Sequence, residues 1–142
     1  MLIKTRYIIL ICIWLGIVLS VAVYAQGAPD IVWSVAGHSG SVEAVCFSDN
    51  GQTVISGGGT DAKIWQASNG TLLQTVDGFA SDLLSVDISP NESLLTAGYV
   101  VGTYPPGGVM DVLDLSQGSV LYHFGGCFVT FSPDGSLIAS AG

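Results

Sequence analysis

His38 is the residue whose type is best suited to chemistry in this chain of 142 residues. An imidazole can act as a general base or as a ligand for a metal ion. A base needs a nucleophile to activate, and a metal ion needs further ligands. No nucleophile and no second ligand stands at a recognisable spacing from His38. The sequence therefore predicts no catalytic residue, no metal ion and no cofactor, and it favours a structural role for this histidine.

Four turn-forming segments also invite a functional interpretation. Asp49-Asn50-Gly51 and Asp134-Gly135 are acidic. A calcium loop, however, needs several oxygen ligands alternating through one loop and a closing glutamate, which neither segment provides. Asn69-Gly70-Thr71 and Asn91-Glu92-Ser93 match the acceptor motif for N-glycosylation. Each asparagine also occupies a position where a turn favours it, so we interpret all four segments as turns.

One seven-residue motif recurs along the chain, and its spacing indicates how the secondary-structure elements around these residues are arranged. Its copies are Ser48-Asp49-Asn50-Gly51-Gln52-Thr53-Val54, Ser89-Pro90-Asn91-Glu92-Ser93-Leu94-Leu95 and Ser132-Pro133-Asp134-Gly135-Ser136-Leu137-Ile138. The shared serine recurs after 41 and then 43 residues. Self-similarity at this spacing is typical of stacked β units.

The first complete unit contains four predicted strands, which are Ser41–Ser48, Thr53–Gly57, Ala62–Gln66 and Thr71–Val76. β-Branched and aromatic residues favour these strands, and glycine-containing turns separate them. The second unit repeats the pattern with seven extra residues around Tyr99–Gly108, between its second and third strands. Outside these two units, the pattern predicts strands at Ile31–Val35, Cys127–Ser132 and Ser136–Ser140.

Four motifs resemble the WD-repeat β-propeller family: Gly37-His38, Val45-x-Phe47-Ser48, Ile64-Trp65-Gln66 and Phe131-Ser132-Pro133-Asp134-Gly135. The resemblance covers about residues 30–142. It implies an all-β fold of WD-type blades, each a four-stranded antiparallel sheet, and a role in binding. The chain departs from the family where Gln66 replaces aspartate, Phe79 replaces histidine and Leu113 replaces tryptophan.

The resemblance also implies a hydrogen-bonded network of His38, Ser56 and Trp65 inside the first blade. Such a network stabilises a blade when each member is paired. Asp61 is the candidate for the family's fourth member, although it lies nearer to Trp65 than is usual.

The number of predicted strands falls short of a closed propeller, which needs at least about four blades. The strands fill two units, with partial units on either side. We therefore interpret residues 26–142 as a partial WD-repeat propeller and expect the sequence to be a fragment of a longer product. Open strand edges and uncovered apolar faces are expected to promote association.

Residues 1–25 differ in composition from the remainder. Lys4 and Arg6 precede the uncharged apolar run Tyr7–Val23, and Val23-Tyr24-Ala25 places small residues where a signal peptidase cleaves. This pattern predicts a hydrophobic N-terminal helix that is a cleaved signal peptide, with a retained membrane anchor as the alternative. In either case the basic residues hold the N-terminus inside, so we expect residues 26–142 to be secreted, periplasmic or anchored on the extracytoplasmic side.

After Ala25 the chain has 11 acidic residues and a single base, Lys63. Such a surface repels the phosphates of nucleic acids and the headgroups of anionic lipids. The sequence therefore predicts no nucleic-acid partner, and contact with a membrane only through residues 1–25 if they are retained.

Cys46 and Cys127 also follow the N-terminal segment. An oxidising compartment permits a disulfide. The two residues occupy non-equivalent positions in their repeats, so we predict two buried free thiols.

The insertion in the second unit is the segment best suited to a partner. It is aromatic, stiffened by two prolines and uncharged, and tyrosine is enriched at the cores of protein interfaces. In a propeller, the resemblance places this loop on the same rim as the connection between the two blades. We therefore predict five partner-binding residues, namely Phe79, Tyr99, Tyr104, Pro105 and Pro106. A loop with no partner is the alternative.

Together these features predict an extracytoplasmic WD-repeat binding platform that mediates protein–protein interaction, with a protein or peptide as partner, and that is not an enzyme. Two alternatives stay open at this point. One is a propeller segment supporting an enzyme whose catalytic domain is missing from this chain. The other is a non-functional gene fragment.

Export is expected to be followed by cleavage after Ala25, because the basic start, the apolar run and the small-residue exit occur together. The intact mass of the exported protein should correspond to a chain that begins at Gln26. Recovery of a full-length species from the membrane would favour the anchor instead.

Overall fold

The computed structural model describes residues 3–4, 30–102 and 107–142. Every regular element in these ranges is a β-strand. Among the described residues, no helix is long and apolar enough to cross a membrane. The predicted N-terminal helix over residues 7–23 lies outside the described residues.

The chain divides into two compact units, Met1–Val35 and Ala36–Gly142. In the first unit, β1 (Ile3–Lys4) pairs antiparallel with β2 (Asp30–Ile31). The sequence predicted a longer strand over Ile31–Val35. That prediction was too long, because the ladder with β1 is two residues in length.

The first blade of the second unit is a four-stranded antiparallel sheet in the order β3-β4-β5-β6. Its strands are β3 (Val42–Phe47), β4 (Thr53–Gly58), β5 (Asp61–Gln66) and β6 (Leu72–Asp77). β4 and β5 are almost wholly buried, whereas β3 and β6 are mostly exposed, apart from a few partly buried residues and the buried Val76. Each strand agrees with the sequence prediction to within about one residue.

The second blade has the same order, and its strands are β7 (Leu83–Ile88), β8 (Leu94–Val101), β9 (Gly107–Asp114) and β10 (Ser119–Gly125). The insertion predicted as a loop lengthens the central hairpin instead. Tyr99 pairs with Val109, and Val101 pairs with Gly107, so most of the extra residues extend β8 and β9.

A third sheet contains β11 (Phe128–Phe131) and β12 (Ile138–Ala141), which pair antiparallel from Phe128↔Ala141 to Phe131↔Ile138. The predicted fold class, all-β with WD-type four-stranded antiparallel blades, is confirmed by these sheets.

The recurring seven-residue motif forms the same turn in the first blade, the second blade and the β11–β12 sheet. The serine hydroxyl donates to the Asn or Asp side chain two residues later, over 2.9 Å from Ser48, 2.8 Å from Ser89 and 2.6 Å from Ser132. That side-chain oxygen then accepts the backbone N–H of the residue two positions further on. These hydrogen bonds are local to the motif and stabilise the turn without contacts from other strands, which explains why the motif recurs.

The first blade packs its inner face on β7 of the second blade. The shared core includes Ile55 and Ile64 from the first blade and Leu83 and Val86 from the second. At Gly57 the approach is very close, since a Cβ there would lie 2.8 Å from Cγ1 of Val86.

The second blade packs on β11 in a corresponding way. A Cβ at Gly98 would lie 2.2 Å from the carbonyl oxygen of Cys127. The same carbonyl accepts the hydroxyl of Ser85 over 2.9 Å, and Ser85 Oγ accepts the N–H of Val129 over 3.1 Å. Backbone packing and hydrogen bonds therefore join these two sheets.

Asp87, the penultimate residue of β7, bridges the three sheets of the second unit. Its Oδ2 accepts the Thr130 hydroxyl over 2.9 Å and the Phe131 N–H over 2.7 Å. On its other side it accepts the thiol of Cys46, and burial together with this carboxylate raises the pKa of Cys46 to about 12. Cys46 and Cys127 are both free, as predicted, although Cys46 is only partly buried.

Gly98→Ala should lower the free energy of unfolding by about 1–3 kcal/mol or more, as overpacking does, because the new methyl group meets backbone that cannot rotate away. The matched control is Gly107→Ala, where a Cβ has nothing within 4 Å. Urea denaturation followed by circular dichroism compares the two. Equal midpoints would show that the second blade and β11 do not pack as described.

Candidate binding surface and the polar networks beneath it

The network that the resemblance implied is present in the first blade. Trp65 Nε1 on β5 donates to Ser56 Oγ on β4 over 2.8 Å. Ser56 Oγ lies 2.7 Å from His38 Nε2. His38 Nδ1 contacts the Asp61 carboxylate and the Gly58 carbonyl, the latter over 3.1 Å. Asp61 is therefore the fourth member despite its unusual spacing.

Ser56, His38 and Asp61 lie in the order of a serine–histidine–aspartate triad. A triad must expose its hydroxyl to a substrate, but Ser56 is only 8% exposed and its oxygen already accepts the indole N–H of Trp65. The four side chains instead tie β4 and β5 to the segment before β3. Their arrangement stabilises the blade.

In the second blade, both positions that correspond to His38 and Gly58 carry aromatic residues. Phe79 and Tyr99 follow His38 and Gly58 by 41 residues each. In the first blade the glycine leaves room for the histidine, since a Cβ at Gly58 would lie 3.0 Å from its ring. In the second blade the rings of Phe79 and Tyr99 meet edge to face, with centroids 6.0 Å apart.

A second polar cluster holds the buried carboxylate of Asp111. Its Oδ2 accepts the Tyr99 hydroxyl over 2.8 Å, and its Oδ1 lies 2.5 Å from His123 Nδ1. Burial raises the pKa of Tyr99 to about 12, and the hydrogen bond and charge of Asp111 act in the same direction. The His123 side chain is largely exposed, so the cluster runs from the core to the outer strand β10.

Sequence reasoning missed Asp111 and its cluster, although a signal existed. Asp111 and His123 follow Lys63 and Thr75 by 48 residues each. Both pairs are cross-strand neighbours, and Lys63 Nζ lies 3.4 Å from Thr75 Oγ1. The repeat thus keeps a polar pair at this place, with a buried residue on the third strand of the blade and an exposed one on the fourth, and changes its charge.

One end of the blades forms the hairpin rim, which we define by the β4–β5 turn, residues 77–82, the β8–β9 hairpin and the connection 126–127. Leu83 N donates to Gly59 O over 2.9 Å, and Gly126 N donates to Gly108 O over 3.1 Å. With the Phe79–Tyr99 contact, these bonds place the four segments side by side. Thr60, Asp77, Asp82 and Gly102 are exposed there.

The structure separates the predicted partner-binding residues into two groups. Phe79 and Tyr99 are brought together, but both are buried, at 7% and 5% exposure. This corrects the expectation that Tyr99 lies in a loop outside the blade core, because β8 continues through it. Tyr104, Pro105 and Pro106 lie outside the described residues.

The single base that follows Ala25 does not reach the surface. Lys63 is 8% exposed, and its Nζ pairs with Asp61 Oδ2 over 3.1 Å. Within residues 30–102 and 107–142, the exposed charged side chains are therefore acidic. In the same ranges, no group of three His, Cys, Asp or Glu side chains could hold a metal ion.

Stacked four-stranded antiparallel blades, joined through their faces and repeating about every 42 residues, define a propeller-type repeat protein. Residues 29–66 match the family model described as "WD domain, G-beta repeat". An uncharacterized WD repeat-containing protein from Synechocystis sp. is 32% identical over 71 residues, which are 49% of this chain and 20% of that protein. The chain thus spans about a fifth of that relative's length. The resemblance to the WD-repeat family is confirmed by these two matches.

Trp65→Ala should lower the free energy of unfolding by about 3–5 kcal/mol, as for a large buried aromatic side chain. His38→Ala should cost about 1–3 kcal/mol, because Ser56 and Asp61 lose a hydrogen-bond partner. Ser68→Ala, in an exposed turn, is the control and should be neutral. Denaturant melts that show no difference among the three would contradict the network.

Proposed function

We propose that residues 26–142 form an extracytoplasmic binding platform that takes a protein or peptide partner at the hairpin rim. WD repeats generally mediate protein–protein interaction, and the family is typically a non-enzymatic scaffold. The extracytoplasmic location rests on Lys4, Arg6 and the apolar run Tyr7–Val23.

The observation that carries the proposal is the lengthened β8–β9 hairpin. The repeat does not need the seven extra residues for its own strands. Tyr99 anchors the base of the hairpin through Phe79 on one side and Asp111 on the other. Strands that are fixed in this way lose less conformational entropy on binding than a free loop would. Rigid scaffolds commonly carry function on such segments.

The charge of the rim supports a partner of particular chemistry. Asp77 and Asp82 are exposed there, and the one base of this part of the chain is buried with Asp61. Like charges across an interface disfavour wrong partners, and opposite charges speed association. The rim therefore suits a neutral or basic segment, with Tyr104 and the adjacent Pro105-Pro106 as apolar contacts.

Tyr104→Ala should weaken binding of a partner by about 1–2 kcal/mol or more, since aromatic anchors dominate binding energy. Partners are first recovered from the native extracytoplasmic fraction and identified, and their dissociation constants are then measured with the purified proteins. The stability of the variant should be unchanged.

Tyr122→Ala is the matched control, because it removes the same type of side chain from an exposed position on the outer strand β10. It should bind as the wild type does. Equal affinity for wild type, Tyr104→Ala and Tyr122→Ala would show that the hairpin is not the binding site, and a partner list without neutral or basic segments would contradict the charge argument.

A further inference from the structure

Glu92 has a backbone conformation that a residue with a side chain rarely adopts. Its φ of 56° lies in the left-handed region, which is unfavourable for an L-residue other than glycine. The other two copies of the seven-residue motif place glycines at this position, Gly51 and Gly135, with φ values of 68° and 70°. The second blade therefore forms the turn at an energetic cost that the other two copies avoid, which points to a role for the Glu92 side chain.

The Glu92 side chain holds the amide of Asn50 in the preceding blade. Asn50 Nδ2 donates to Glu92 Oε1 over 2.7 Å. At the other end of the same amide, Asn50 Oδ1 accepts the Ser48 hydroxyl over 2.9 Å and the Gln52 N–H over 2.7 Å. The amide is therefore held at both ends. The bonds to its oxygen come from its own turn, whereas the bond to its nitrogen depends on another blade.

The dipeptide Asn50-Gly51 has a reactivity of its own, because asparagine is a thermolabile residue and glycine has no side chain to hinder its backbone nitrogen. When the Gly51 nitrogen loses its proton, its electron pair can attack Asn50 Cγ. A C–N bond forms, the bond from Cγ to Nδ2 breaks, and Nδ2 takes up a proton and leaves as ammonia. Solvent water then opens the cyclic imide and gives aspartate or isoaspartate. The attack requires the Asn50 side chain to rotate, which its three hydrogen bonds oppose.

We propose that Asn50-Gly51 is a site of deamidation and that the Glu92 carboxylate protects it. Deamidation also changes the contact between the two blades. A carboxylate fits the turn itself, since Asp134 makes the same local bonds in the third sheet. At position 50, however, the new carboxylate faces Glu92, where a favourable hydrogen bond is replaced by repulsion between like charges. Deamidation therefore breaks the contact between these two turns.

The test follows deamidation of the purified full chain and of its Glu92→Gly variant during incubation at mildly alkaline pH. Peptide mapping by mass spectrometry measures the conversion of each asparagine. Glycine suits the left-handed backbone, so the variant removes the side chain and keeps the turn. Conversion at Asn50 should be faster in the variant by about tenfold or more, the factor that corresponds to one hydrogen bond to a charged group.

Asn69-Gly70 is the matched control within the same molecule. It is the same dipeptide in another turn, and its side chain accepts the N–H of Thr71 over 2.9 Å and takes no part in the contact with Glu92. Its rate of conversion should be equal in the two proteins. Glu92→Gln keeps an oxygen acceptor for Asn50 and should convert nearly as slowly as the wild type. An unchanged rate at Asn50 in Glu92→Gly, or an equal rise at Asn50 and Asn69, would overturn the proposal.

A second measurement examines the product of the reaction. Asn50→Asp should lower the urea midpoint of the otherwise wild-type chain, because the new carboxylate faces Glu92. Combined with Glu92→Gln, which has no charge, the same change should have little effect. An equal effect of Asn50→Asp in the two backgrounds would contradict the repulsion and overturn the proposed effect of deamidation on the contact between the blades.

Discussion

The close approach between one blade and the innermost strand of the next is the contact on which the rest of this structure depends. Gly57 and Gly98 hold corresponding positions in the two blades. At each of them the backbone lies directly against the next sheet, because glycine has no side chain to separate the two. Separating the sheets by a methyl group would open the apolar core and break the bonds of Ser85 and Asp87 to the third sheet. The alignment of the hairpin rim rests on the same spacing, since its segments belong to successive blades.

Within that fixed spacing, the interior of a blade tolerates considerable change in its polar chemistry. The first blade combines a glycine with His38, and the second combines Tyr99 with Phe79, so both pairs fill the space between the same strands. The buried pair below them is a lysine with a carboxylate in one blade and Asp111 with a tyrosine hydroxyl in the other. The buried polar side chains of both blades keep their hydrogen-bond partners, while the identity and the size of the residues change.

The sequence predicted what depends on local patterns. The Ser–Asx turns and the alternating strands follow from residue type and spacing, the His38 network was implied by the resemblance to WD repeats, and the structure has all three. Tyr99 was misplaced because extra residues between strands have the same pattern whether they form a loop or lengthen a hairpin. Asp111 was missed because a carboxylate is buried only where distant residues supply donors, and a pattern within one strand does not contain them.

The two ends of the blades differ in how many of their exposed polar groups are already hydrogen-bonded within the protein. At the turn end, Ser132 and Ser136 donate to Asp134 and lower the pKa of its carboxyl to about 2, so this charge is already solvated by its own turn. Asn50 is likewise engaged, by Glu92 of the neighbouring blade over 2.7 Å. A partner would have to replace these bonds before gaining its own. Among the described residues, the hairpin rim keeps its internal bonds in the backbone and in buried side chains, so a partner proposed at this rim would not have to break bonds of the kind found at the turn end.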